Sequence, residues 1–379
     1  MNNNIFLDSA STTPCSDEVI EEMMKCYQKI YGNPSSTHAI GREAMRLVDN
    51  ARDVIAKSIG ANPSLNEIYF TSSGTEANNM ALFGMARANK SKGKHIISTK
   101  MEHQSVLDSL KRLEDEGFEI TYLNADKNGK ISLEELEKSI RDDTILVSIM
   151  MVNNEVGTIT NLEELVNLVK THENILFHTD AVASFGLIDI DVKKLNVDAL
   201  SISAQKIYGP KGIGCLYIKH GVKFQPLIYG GNQENGKRAG TLNVPGIVGF
   251  AKATQEILKG EHKSKLKELK SVFINNIKEI SEYVTLNGGE NSVYTIQSIT
   301  FKNINNDLMQ TLLDLNGICC SKGSACTAGS TEPSHVLMGM GYSYEEANST
   351  IRFSFNKYLT KEEIIKSAEV IKEVVLKQQ

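Results

Sequence analysis

Apolar positions along the chain alternate between two rhythms. Residues 41–59, GREAMRLVDNARDVIAKSI, carry a helical period and stop at Gly60. The next segment, NEIYFTSSGTEANNMALFGMARANKSKG, reads as a short apolar strand, a polar glycine turn and an amphipathic helix. KHIISTKMEHQSVL again ends a strand on polar residues and leads into the helix-like DSLKRLEDEG. The same alternation returns at TILVSIMMVNNEVG, NILFHTDAVASFG, DALSISAQK and IGCLYIK. Strands alternating with helices, with polar groups collected at the strand ends, indicate α/β architecture.

The pattern changes near 245–265, where a long helical stretch, IVGFAKATQEILKGEHKSKLKELKSVFINNIKEI, begins. After it come the strand VYTIQSITF, the helical NNDLMQTLLDLNG, a loop with cysteines, the strand STIRFSF and a final helix, TKEEIIKSAEVIKEVVLKQQ. This second region reads as α+β. At 379 residues the chain exceeds one typical domain, so a large domain with a smaller companion is expected.

Composition narrows the class. Hydrophobic residues at 41% and charged residues at 23% suit a soluble globular protein with a substantial core. A formal charge of −5 gives no general case for direct nucleic-acid binding. The opening MNNNIFLDSASTTP lacks the basic start and apolar stretch of a secretory signal, and no charge-free apolar run is long enough for a membrane span. Cysteines stand at 15, 26, 215, 319, 320 and 326 without a regular framework, which fits reduced thiols in the cytoplasm. Cys319 and Cys320 lack zinc-ligand spacing and read as structural, so no metal is expected.

The candidate chemistry sits at strand ends. Lys206 follows the strand DALSIS and precedes a glycine- and proline-rich run. It is either a solvated turn lysine or, if buried and deprotonated, a nucleophile for an aldehyde. In TSSGTEANN, Gly74 permits a tight strand-to-helix turn and Thr75 either caps the helix or joins its free N–H groups in binding a phosphate. Ser203 adds a hydroxyl near Lys206, and the Walker spacing is absent. Asp180 ends LFHTD, where it can cap or hold a pyridinium proton. His103 can stack on a ring and shuttle a proton, or serve as a core histidine. Cys326 lies in the small-residue stretch GSACTAGSTEP, and Arg352 sits amid apolar residues of IRFSF, suited to gripping an α-carboxylate that Asn154 of NNEVG could help to hold.

Together these stretches resemble the class I cysteine desulfurases of the NifS/IscS type. The resemblance runs nearly end to end through LDSASTTP, YGNPSSTHAIGREA, TSSGTEANN, EHQSV, NNEVGTI, HTDAVASFG, SAQKIYGPKG, GGNQENGKRAGTLN, GSACTAGSTEPSHVLMGMG and IRFSF. It implies the aspartate-aminotransferase-like fold of pyridoxal-phosphate enzymes (fold type I). In that fold a large α/β domain with a mainly parallel central sheet would span 15–255. A small α+β domain would combine 1–14 with 256–379 and carry a mobile cysteine loop at about 321–333. The resemblance makes Lys206 the aldimine lysine, Asp180 the pyridine-nitrogen partner and His103 the ring-stacking acid–base residue. Gly74, Thr75, Ser203 and Gln205 would form the phosphate region, completed by Thr241 from the other subunit of a homodimer. Asn154 and Arg352 would hold the substrate carboxylate. Lys206 would remove the α-proton of L-cysteine, and Cys326 would take its sulfur as a persulfide. Alanine would remain, and the sulfur would pass to an acceptor protein of iron–sulfur, thio-cofactor or tRNA-thiolation pathways.

Two positions depart from the family pattern. Gln205 replaces the usual histidine before the lysine, and Ala183 replaces the usual glutamine three residues after the aspartate. Gln205 keeps an amide but cannot carry an imidazolium charge, and Ala183 donates nothing from its side chain. These departures fit either a divergent active desulfurase, with water or another group substituting, or altered cofactor tuning with slow turnover until the acceptor binds. A selenocysteine lyase, a cysteine β-lyase and a low-activity sulfur carrier or scaffold are alternatives on the same fold. The chain ends soon after its terminal helix, without the tail that housekeeping enzymes use for scaffold docking, which leaves the acceptor open.

Overall fold

The computed structural model describes residues 4–323 and 332–378. After a short strand, β1 (Ile5–Phe6), come helices α1 (Asp17–Lys29) and α2 (Ala39–Ser58). The alternating region follows as β2 (Ile68–Thr71), α3 (Gly74–Asn89), β3 (His95–Thr99), α4 (Gln104–Asp115), β4 (Glu119–Leu123), α5 (Leu133–Ser139), β5 (Thr144–Ser148), α6 (Leu162–Val169), β6 (Leu176–Asp180), α7 (Val192–Leu195), β7 (Ala199–Ser203) and β8 (Gly214–Ile218). The rest comprises α8 (Val244–Leu258), α9 (Lys263–Ile277), β9 (Val284–Asn287), β10 (Ile296–Phe301), α10 (Asn306–Leu315), β11 (Ile318–Cys319), α11 (His335–Gly339), α12 (Tyr344–Ala347), β12 (Thr350–Ser354) and α13 (Lys361–Gln378).

The seven strands β2 to β8 form one sheet in the order β2-β8-β7-β6-β5-β3-β4. Neighbours from β7 to β4 run parallel, and β8 is antiparallel to both β2 and β7. This is the α/β architecture with a mainly parallel sheet that the alternation indicates. Strands such as β5 and β7 are buried at every residue, because helices cover both faces. The two-residue period then divides their side chains. Ile97, Val147, Phe177 and Leu200 join the core under α2 and α8, whereas Ile96, Leu146, Ala199 and Leu216 join the core under α3 and α4.

A separate core surrounds the antiparallel sheet β12-β10-β9, with Phe273, Phe301, Phe353 and Ile371 at its centre. Ile5 and Leu7 belong to this core because β1 pairs in parallel with β11. The N-terminal strip therefore crosses from this core towards the large sheet. The helical stretch read as continuous is two helices: Gly260, at φ +72°, ends α8 and His262 stands at the N-terminal cap of α9. Core membership changes at that break, from Ile257 with the large sheet to Leu266 with the small one. No helix among the described residues is long and apolar enough to cross a membrane.

Candidate active site

Parallel strands put their C-terminal ends on one edge of the sheet, and the loops that leave those ends enclose a cavity of about 120 Å³. Its walls include Gly74 and Thr75 beyond β2, His103 beyond β3, Asn154 beyond β5, Asp180 at the end of β6, and Ser203, Gln205 and Lys206 at the end of β7. Arg352 of β12 and the backbone of Ala10 and Ser11 close it from the other side. Nine candidate site residues from the sequence, and the atypical Ala183, thus meet in one place. Thr241 does not line this chain's cavity, and Cys326 lies outside the described residues.

Lys206 Nζ donates to the carbonyls of Ala10 and Ser11, each at 2.5 Å. The backbone beside it is held under strain: Tyr208 has φ +65°, an expensive conformation for a bulky residue. Thr13 Oγ1 fixes that bend by accepting from Tyr208 N at 2.8 Å and donating to the Gln205 carbonyl at 2.9 Å. Tyr208 Oη also accepts from Lys357 N at 2.9 Å, which ties the loop to the smaller sheet's region.

Asp180 is only 4% exposed, and both of its oxygens are occupied. Oδ1 accepts from Val182 N at 2.9 Å and Oδ2 from Asn78 Nδ2 at 2.6 Å. His103 caps α4: its Nδ1 accepts from Ser105 N at 3.1 Å and meets Ser105 Oγ at 2.8 Å. A backbone N–H can only donate, so a neutral ring carries its proton on Nε2. Just before it, burial pushes the Glu102 carboxyl up to about 8; Oε1 accepts from Met150 N and Thr99 Oγ1, and Oε2 has no hydrogen-bond partner among the described residues.

The phosphate-type cradle differs in one respect from the sequence reading. Ser73, not Thr75, caps α3, accepting from Glu76 N at 3.1 Å. Thr75 is therefore not spent on capping and lies in the first helical turn, on the cavity wall. Gly74 is helical, and its need is space: a Cβ there would approach Val182 Cγ2 to 2.6 Å. Helix N–H groups and a positive dipole end face this corner of the site.

Arg352 is 2% exposed and already engaged. Nη2 donates to Asp8 Oδ1 at 3.0 Å and Ser11 Oγ at 2.8 Å, and Nη1 donates to the Asn154 carbonyl at 2.9 Å. Its Nε, Asn154 Oδ1 and Asn78 Oδ1 are buried without hydrogen-bond partners among the described residues. Buried polar atoms of that kind, on residues that all line the cavity, suit a polar ligand. A phosphorylated pyridine aldehyde fits the donor set: an amine, a buried carboxylate and a helix N-terminus with hydroxyls. Asn78, Ser105 and Asp8 were not foreseen, although Asn78 stands four residues after Gly74 and so shares its helical face.

Comparison with known proteins follows the same lines. The Aminotransferase class-V family model matches residues 5–366. The chain is 46% identical to the Cysteine desulfurase IscS of Dictyoglomus turgidum, over 100% of this chain and 96% of that protein. A solved NifS-like protein superposes with a TM-score of 0.92 at 39% identity, covering 98% of this chain and 99% of the other. The structure described as SspA in complex with cysteine gives a TM-score of 0.83 at 37% identity, covering 94% and 99%.

Proposed function

The chain belongs to the Aminotransferase class-V family as a pyridoxal-phosphate-dependent cysteine desulfurase of the NifS/IscS type, and from that premise we propose how its own residues carry the reaction. The observation that carries the proposal is the meeting of Lys206, Asp180, His103 and Arg352 on one cavity. Lys206 is the attachment point for the cofactor aldehyde and moves the proton at the substrate α-carbon. Asp180, fixed by Asn78 and Val182, keeps a proton on the pyridine nitrogen. The bound cofactor supplies an electron sink for that carbon. His103 supplies an acid–base group through Nε2. Thr75, Ser203, Gln205 and the N–H groups at Gly74 bind the phosphate.

Asn154 and Arg352 hold the carboxylate of L-cysteine. The Cys326 thiolate attacks the substrate sulfur, the substrate C–S bond breaks with its electron pair left on carbon, and protonation yields alanine. Sulfur remains on Cys326 as a persulfide for an acceptor protein of iron–sulfur, thio-cofactor or tRNA-thiolation assembly. The five described cysteines are free, which supports a reducing, cytoplasmic setting.

The working unit is a homodimer in which Thr241 completes the partner's phosphate site. Two observations support it. Tyr31, Tyr229 and Tyr27 are 77%, 71% and 63% exposed on this chain. The segment bearing Thr241 is nevertheless firmly held, because Glu234 is buried against Arg52 and Arg238 pairs with Glu76 at 2.7 Å, next to Thr75. Borohydride reduction of the yellow holoenzyme, followed by peptide mapping, tests the assignment of the amine. Label on Lys206 supports it; label on another lysine contradicts it.

A further inference from the structure

A second cavity, of about 40 Å³, lies behind Lys206 and shares Ala10, Ala183 and Lys206 with the active site. Its remaining wall includes Thr13, Leu187, Tyr208, His262, Thr295 and Phe355. At about 10–15 Å³ per water by this measure, it has room for up to about three or four. Position 183 presents only a methyl group at the boundary between the two spaces.

His262 is 9% exposed, and its Nε2 is buried with no hydrogen-bond partner among the described residues. Burial and the neighbouring charges of Lys357 and Lys263 lower its pKa, against the opposing influence of Glu261, so the ring is neutral at pH 7. Lys263 in turn lies 3.8 Å from Asp189, and Lys357 lies over the Tyr208 ring at 4.5 Å. Lys206 and Tyr208 are the titratable groups on the cavity wall besides His262. A neutral imidazole nitrogen left bare in protein is costly, and a cavity of this size and mixed polarity lets water satisfy it.

We propose that His262 is a positioning residue for Lys206, acting through water held in the cavity behind Ala183. The amine rests on the carbonyls of Ala10 and Ser11, and Ala10 borders both spaces. Water anchored on His262 gives the amine a further polar neighbour, one that persists when it leaves those carbonyls. This role presupposes that Lys206 carries the cofactor, which borohydride mapping of wild type checks separately.

The test uses holoenzyme of His262→Leu, His262→Asn and Leu187→Phe, the last filling the cavity from a residue that does not itself line the active site. Each is read by pH titration of the cofactor's visible absorbance and by kcat and KM for alanine formation. His262→Leu should move the titration midpoint by roughly half a pH unit or more, the scale of one hydrogen bond, and lower kcat about 3–10-fold with KM little changed. His262→Asn should restore most of both, and Leu187→Phe should reproduce the shift. An unchanged midpoint in folded His262→Leu overturns the proposal. So does a change that Asn fails to rescue and Leu187→Phe fails to reproduce, which marks a structural role alone.

Discussion

Asn78 Nδ2 donates to Asp180 Oδ2 at 2.6 Å and to Ser105 Oγ at 2.9 Å. One amide thereby joins the carboxylate to the hydroxyl that meets His103 Nδ1, so the pyridine partner and the acid–base group are set by a single buried chain of hydrogen bonds. Asn78→Ala leaves Asp180 Oδ2 without this donor. A hydrogen bond to a charged group contributes about 1.5–3 kcal/mol, so cofactor affinity should fall about tenfold or more. Equilibrium dialysis against pyridoxal phosphate measures it, and wild-type affinity in the variant contradicts the link.

Gly74 is required for space and not for an unusual backbone angle. Gly74→Ala brings a methyl against Val182 Cγ2, and overpacking of this kind costs about 1–3 kcal/mol. Cofactor retention and Tm should both fall, and adding Val182→Ala should recover most of the retention. Failure of the second substitution to help places the defect elsewhere.

Glu102 links stability to pH. Its folded pKa is raised to about 8 by burial, whereas an unfolded glutamate titrates near 4.5. Its contribution is fully present below about 4.5 and is lost as pH rises through about 8, because the unfolded chain releases the proton first. The slope is at most about 1.4 kcal/mol per pH unit across that window. Glu102→Gln should gain stability relative to wild type as pH is raised from 5 to 8 in urea unfolding. A constant difference between the two proteins contradicts the shift.

Much of this site was legible because its chemistry hangs on strand ends, and apolar runs broken by Asp180, Ser203 and Lys206 mark those ends. The helix limits near 41–59 and the strand–turn–helix at 71–74 followed from periodicity and turn chemistry. What pattern could not show is closure over long sequence distances. The carbonyls of Ala10 and Ser11 reach Lys206, and Asp8 reaches Arg352, across more than 190 residues of chain. Nor does composition distinguish Ser73 from Thr75 as the cap, since either hydroxyl satisfies a free N–H. The break at Gly260 was hidden by apolar periodicity that continues on both sides.

Glu234 shows the same limit and yields a further prediction. It stands at φ +48° in a polar segment, yet its carboxylate is buried, accepting from Arg52 at 2.6 and 2.9 Å and from Phe70 N at 2.7 Å. Glu234→Gln leaves Arg52 buried without its counter-charge, so unfolding free energy should drop by about 3–5 kcal/mol. Urea denaturation measures the loss, and a drop under 1 kcal/mol would mean the pair is dispensable.

The central claim is that sulfur leaves L-cysteine onto Cys326 in a site built around Lys206. Purified holoenzyme is given L-cysteine, alanine is quantified, and the Cys326 peptide is weighed, in wild type and in Cys326→Ala. The account predicts alanine from wild type with one extra sulfur on Cys326, and loss of turnover in the variant with its yellow absorbance intact. Alanine formation that survives Cys326→Ala unchanged would contradict it.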